Sequence, residues 1–115
     1  MIPPGVEIFL ALAPIDLRWG FDRLAGLVES QLGRRPRSGA LFVFFGKRRT
    51  ALKVLHYDGS GLCLYYKRLD RGSFRIPEAF EEGATSRTLD DRELADLLFG
   101  LDVETPKTRA RRKIH

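Results

Sequence analysis

The chain has one cysteine, Cys63, and only two histidines, His56 and His115. A single cysteine excludes an internal disulfide framework and fits a reducing, cytoplasmic setting. With so few soft ligands a structural zinc site is not expected. No apolar run approaches the roughly 18 residues that a membrane-spanning helix needs. The opening "MIPPGVEIFLALAP" has a short apolar run that carries Glu7 and lacks a basic leader, so it does not read as a signal peptide. There is no GxSxG elbow, no Walker-type phosphate loop, no GXXG loop and no RNP-type aromatic pattern. The sequence therefore points to no metal, no cofactor and no membrane contact.

What it does hold is charge, unevenly spread. The 115 residues carry a formal net charge of +5. Residues 1–77 hold 13 Lys and Arg against 6 Asp and Glu. Residues 78–104 hold 2 against 9, and residues 105–115 hold 5 against none. Such a chain can offer one face to a polyanion and another to a basic protein. Its length suits one domain, and 43% apolar residues suffice for one modest core.

"VEIFLALA" (6–13) alternates with a period of two and is apolar on both sides, as a strand covered on both faces would be. Pro14 ends it. "GFDRLAGLVESQLG" (20–33) switches to helical spacing through Phe21, Leu24, Leu27, Val28 and Leu32, with Gly33 as a stop. "ALFVFF" (40–45), "ALKVLHY" (51–57) and "LCLYYKRL" (62–69) are rich in β-branched and aromatic residues. The turns "GKRRT" (46–50) and "DGSG" (58–61) join them into an antiparallel meander. Residues 70–77 turn and can add a short extended piece. Residues 78–87 are acidic and irregular. Thr88 with Asp91 resembles a capping box for a second helix from Leu89 to Phe99, with Gly100 as its stop. The expected fold is a small α+β domain over residues 1–103. Its antiparallel sheet joins the three-stranded meander to the N-terminal strand, two helices pack on it, and a flexible basic tail follows at 104–115.

Most of the 20 Lys and Arg residues fall in clusters. These are Arg34, Arg35 and Arg37; Lys47, Arg48, Arg49 and Lys53; Lys67, Arg68, Arg71 and Arg75; and the tail. Strand direction brings Lys47, Arg48, Arg49, Lys67, Arg68 and Arg71 to one rim of the sheet and leaves Arg34–Arg37 at the opposite end. A rim of cations is the footprint of phosphate-backbone binding, and Arg suits it because its donor fork meets phosphate oxygens in pairs. Tyr57, Tyr65 and Tyr66 lie on the same strands, where they either pack the sheet or stack on bases.

Candidates for catalysis are thin. Asp16, Asp22 and Asp58 are an imaginable metal-binding set. Yet Asp22 suits the start of a helix and Asp58 a hairpin turn. His56 and Cys63 read as packed strand residues, the histidine satisfied and the cysteine small and buried. Asp16 is expected to satisfy loop donors or to pair with Arg18. Arg18 and Trp19 are the two residues of that bend that a turn does not require, and Arg18 joins the candidate nucleic-acid contacts.

An ordered series of segments carries a resemblance: "PIDLRWGFDRLAGLV" (14–28), "RPRSGALFVFFGKRR" (35–49), "LKVLHYDGSGLCLYYKRLDRGSF" (52–74) and "LADLLFGLD" (94–102). Its core is Asp16, Arg18, Gly20, Phe21, Asp22 and Leu24, then Lys53, Asp58, Gly59, Gly61, Lys67, Arg68, Leu69, Gly72 and Phe74. In these the chain resembles the Orf2 accessory proteins, also called TnpB, of insertion sequences of the IS66 type. It departs at Trp19, Thr50, Ser73 and Ile76, where Lys, Asp, Arg and Trp are common. The resemblance implies a small bacterial, non-enzymatic accessory protein of transposition, encoded beside a large transposase, with no catalytic residues to carry over. Joined to the charge pattern, it gives two expectations. One is DNA binding through the basic rim in support of the transposase. The other is a protein-interaction module that docks on the transposase without touching DNA. A metal-dependent enzyme built on Asp16 and Asp22 is a distant third.

Overall fold

The computed structural model describes residues 5–99. The elements are β1 (Ile8–Ala11), α1 (Phe21–Ser30), β2 (Leu41–Phe45), β3 (Ala51–Tyr57), β4 (Leu62–Arg68), β5 (Ser86–Leu89) and α2 (Asp91–Leu98). They form one five-stranded sheet in the order β4-β3-β2-β1-β5, flanked by the two helices.

β2, β3 and β4 run antiparallel in succession, as the two turns between them require. β1 does not extend that pattern. It lies parallel to β2, with Ile8 opposite Leu41 and Leu10 opposite Val43. The expected all-antiparallel sheet is therefore a mixed one. The reason is the connection: α1 carries the chain back to the starting end of the sheet, and such a crossover makes neighbouring strands parallel. The second correction is β5, which pairs antiparallel with β1 at the far edge and takes in both the end of the stretch read as irregular and Thr88 and Leu89, expected at the start of the second helix. Its Ser-Arg-Thr-Leu sequence has too little apolar alternation to announce a strand. Residues 70–77 hold no strand.

Both faces of the sheet are covered. Ile8, Leu10, Leu41, Val43, Phe45, Leu52 and Val54 point to the α2 side, where Phe74, Leu94 and Leu97 close over them. Phe9, Ala11, Phe42, Phe44 and Leu55 point to the α1 side against Leu24, Ala25 and Val28. This is why β1 and β2 are apolar at every position. Burial of each of these Val, Leu, Ile and Phe side chains stabilises the fold by about 1.5–3 kcal/mol.

α1 begins after Gly20 without a side-chain cap, and Asp22 in its first turn faces the positive end of the helix dipole. Beyond its end Gly33 takes φ +63, and the Arg34 N–H then donates to the Val28 carbonyl at 3.1 Å. The capping box of α2 belongs to Asp90 and Glu93, not to Thr88 and Asp91. Thr88 is in β5, opposite Phe9. Residues from Gly100 onward, the expected basic tail among them, lie outside the described residues.

Candidate nucleic-acid interface

The parallel pairing of β1 and β2 decides where loops diverge. Both strands end on the same side, so the 12–20 loop and the 46–50 turn leave together. Ile15 forms a parallel bridge with Gly46, and its N–H donates to the Phe45 carbonyl at 2.8 Å. The Leu17 side chain lies against Gly46 where a Cβ would stand, its Cδ1 within 2.6 Å of that point. Only a glycine lets loop and turn press so closely here. Between them opens a cleft of about 540 Å³, walled by residues 14–17, residues 46–51, Tyr66 and Arg68.

Among the described residues four cations line it: Lys47, Arg48, Arg49 and Arg68. All four are exposed. In the turn the Arg49 N–H donates to the Gly46 carbonyl at 2.9 Å, which closes a tight bend. Arg49 itself sits at φ +58 and is the one described non-glycine residue in the left-handed region. Its carbonyl accepts from the Phe74 N–H at 2.6 Å, and its guanidinium lies 5.8 Å from the centre of the Phe45 ring. Backbone and side chain thus both hold the turn in one shape.

One acid faces the cleft, Asp16, and Arg18 clamps it. The Arg18 backbone N–H donates to Asp16 Oδ1 at 2.9 Å, Nε to the two oxygens at 3.1 and 3.2 Å, and Nη2 to Oδ2 at 2.7 Å. These hydrogen bonds hold the Asp16 carboxyl down at about 2, against an ordinary 3.8. Three donors make these four contacts, with Nε shared between the two oxygens, and together they favour the ionised carboxylate. The expected pairing with Arg18 is borne out. Among the described residues no group of three His, Cys, Asp or Glu is placed to hold a metal ion.

The strand alternation of β4 separates residues that the sequence ran together. Arg68 and Tyr66 point to the α1 side and into the cleft, whereas Lys67 points to the α2 side. There the Lys67 ammonium donates to the Leu98 carbonyl and lies 5.0 Å from the centre of the Phe99 ring. A cation at the carboxyl end of a helix is where the dipole favours it, so Lys67 holds α2. Lys53, a candidate contact through the second basic cluster, does not line the cleft either. It is 6% exposed, and its ammonium donates to the Trp19 carbonyl at 2.8 Å beneath the Tyr66 ring. Its charge ties the 12–20 loop to the sheet. Arg71 follows β4 in an exposed loop at the cleft end, and Arg75 is exposed beyond it. Arg34, Arg35 and Arg37 are exposed at the opposite end of β2, with the Arg34 guanidinium 4.2 Å from the centre of the Phe9 ring. Trp19 is half-buried against the α1-side core under Arg23.

The tyrosines divide too. Tyr57 is half-buried and donates to the Gly59 carbonyl at 3.0 Å, a packing role. Tyr65 and Tyr66 are about half exposed, at 51% and 54%, on opposite faces. Nothing in the sequence distinguishes Tyr66 from Tyr65 until the facing of the strand is known. Asp58 is a turn residue as expected, accepting from the Ser60 N–H and hydroxyl and from the Gly61 N–H. Cys63 is not the buried side chain expected but an exposed thiol near Asp58, on an edge strand whose outer positions face solvent. His56, its cross-strand neighbour, is half-buried with Nδ1 lacking a partner, rather than satisfied. Both line a mainly apolar hollow of about 410 Å³ beside α2 that has no Lys or Arg in its wall among the described residues.

A relative from Sinorhizobium fredii, the uncharacterized protein y4hO, is 42% identical over 109 residues, covering 93% of this chain and 92% of that one. A second from the same organism, the uncharacterized protein y4jC, is 38% identical over 115 residues, covering 98% of this chain and 92% of that one. No solved structure matches. The family described as IS66 Orf2-like protein matches residues 6–108, which take in the cleft and both helices, and the chain belongs to that family.

Proposed function

We propose that the chain is an accessory protein of insertion-sequence transposition that binds DNA through the cleft at the carboxyl ends of β1 and β2. The observation that carries the reading is the convergence of Lys47, Arg48, Arg49 and Arg68 on one cleft whose only acid among the described residues, Asp16, is already neutralised by Arg18. Backbone phosphates are the anions that such a spread of exposed guanidinium groups meets best. Arg71, exposed at the same end, widens the field. In a sheet with parallel strands this end is also where ligands gather, because the loops diverge there. The role is binding rather than catalysis, and it depends on the transposase for chemistry.

Fluorescence anisotropy with labelled DNA at low salt tests the reading. The wild type binds, and the triple variant Arg48→Ala, Arg49→Ala, Arg68→Ala binds at least tenfold more weakly with an unchanged fold. No binding by the wild type, or equal binding by both, overturns it.

A second surface favours a protein partner. Phe80 is 68% exposed among Glu78, Glu81 and Glu82. Arg87 holds it from beneath, its guanidinium 4.0 Å from the ring centre, while donating to the Glu78 carbonyl at 3.2 Å and pairing with Glu93. An exposed aromatic fixed within an acidic collar suits a basic protein, and the transposase of the same element is the proposed partner.

A further inference from the structure

The cleft holds one feature that duplex binding does not use. Tyr66 lines it together with Arg68, and among the described residues these two also line a smaller depression of about 290 Å³. They stand two residues apart on β4, so they share a face at a spacing of about 7 Å. The Tyr66 ring is held from its buried side by the Lys53 ammonium, 4.9 Å from the ring centre, which the Trp19 carbonyl fixes in turn. The ring is nonetheless 54% exposed.

From this arrangement we infer that the cleft takes an unpaired nucleotide of single-stranded DNA, its base on the Tyr66 ring and its flanking phosphates against Arg68 and the Lys47–Arg49 turn. An immobilised aromatic beside cations is the arrangement by which single strands are held, since every base has a face to stack and every nucleotide a phosphate. A duplex presents its phosphates outward and keeps its bases stacked inside. It can satisfy the cations of the turn but leaves Tyr66 bare. The inference rests on the DNA-binding reading and narrows it to the strand state the site prefers.

The test compares a fluorescein-labelled 20-nucleotide oligo-dT, which forms no self-pairs, with a blunt 20-base-pair DNA duplex at one salt concentration. The wild type binds the single strand more tightly. Tyr66→Ala weakens single-strand binding about five- to hundredfold. Tyr66→Phe, which keeps the ring, restores it to within about threefold, and neither variant changes duplex binding. Tyr66→Leu, which keeps apolar volume without a ring, serves if the alanine variant unfolds, and it behaves as the alanine variant does. Equal binding of the two DNAs, or single-strand binding insensitive to Tyr66 yet sensitive to Arg48 and Arg68, overturns the inference and leaves the DNA reading standing. Failure to bind either DNA overturns both.

Discussion

Arg49 is an uneconomical choice for its position. Left-handed backbone costs a side-chain-bearing residue about 1–2 kcal/mol, and glycine adopts it freely. The cation over the Phe45 ring recovers about 0.5–1 kcal/mol at an exposed site. Stability alone therefore gives little reason to keep arginine here, and strain of this kind is characteristic of functional turns. Arg49→Gly separates the two roles. Its unfolding free energy, measured in urea, is expected within about 1 kcal/mol of wild type, because strain relief and lost packing nearly cancel. Its affinity for DNA is expected to fall several-fold, since one of four cleft cations is gone. A variant that loses stability and keeps its affinity would show that Arg49 serves the fold instead.

On the scale of elements, the division of labour in β4 is set by strand period. Lys67 and Arg68 are neighbours in sequence and face opposite sides of the sheet. The first caps α2 at Leu98, and the second enters the cleft. α2 is short, eight residues buried through Leu94 and Leu97, so its terminal contacts matter. Lys67→Met is expected to destabilise the protein by about 1–2 kcal/mol through the lost charged hydrogen bond and dipole contact, with DNA affinity nearly unchanged. Arg68→Met is expected to do the reverse: stability within about 0.5 kcal/mol, as for an exposed surface change, and weaker DNA binding. Urea titration and anisotropy on the two variants check the pair together. The same alternation explains what the sequence showed and hid. Strand direction alone brings Lys47, Arg48, Arg49 and Arg68 to one end, so the rim was legible. Which of two adjacent residues turns inward depends on the facing of β4, and that follows from where α1 and α2 pack. Lys53 counted among the basic clusters as a candidate contact because its loop partner, the Trp19 carbonyl, lies 34 residues away in sequence. The parallel seat of β1 was half legible, since strands apolar on both faces at 8–11 and 41–45 belong together at the centre of a sheet. β5 was not, because its pairing rests on backbone groups and one buried leucine.

Across the whole molecule the sheet separates two basic regions. Arg34, Arg35 and Arg37 precede β2, and the Lys47–Arg49 turn follows it. Five residues of β2 hold these regions about 17 Å apart. That exceeds the screening length of about 8–10 Å at physiological salt, so the two regions act on a ligand independently. A six-nucleotide oligo-dT centred on Tyr66 is therefore expected to feel only the cleft. Its binding constant should fall with salt with a log–log slope near −3, about 0.7 per phosphate for four neutralised phosphates. Arg34→Ala, Arg35→Ala, Arg37→Ala should leave both its affinity and that slope unchanged. Removing Arg48, Arg49 and Arg68 should flatten the slope to about −1, the remainder belonging to Lys47. Anisotropy titrations at several salt concentrations measure both quantities. If the Arg34 cluster steepens the slope for a strand this short, DNA runs along the sheet from one end to the other, and the cleft is only one part of a longer track.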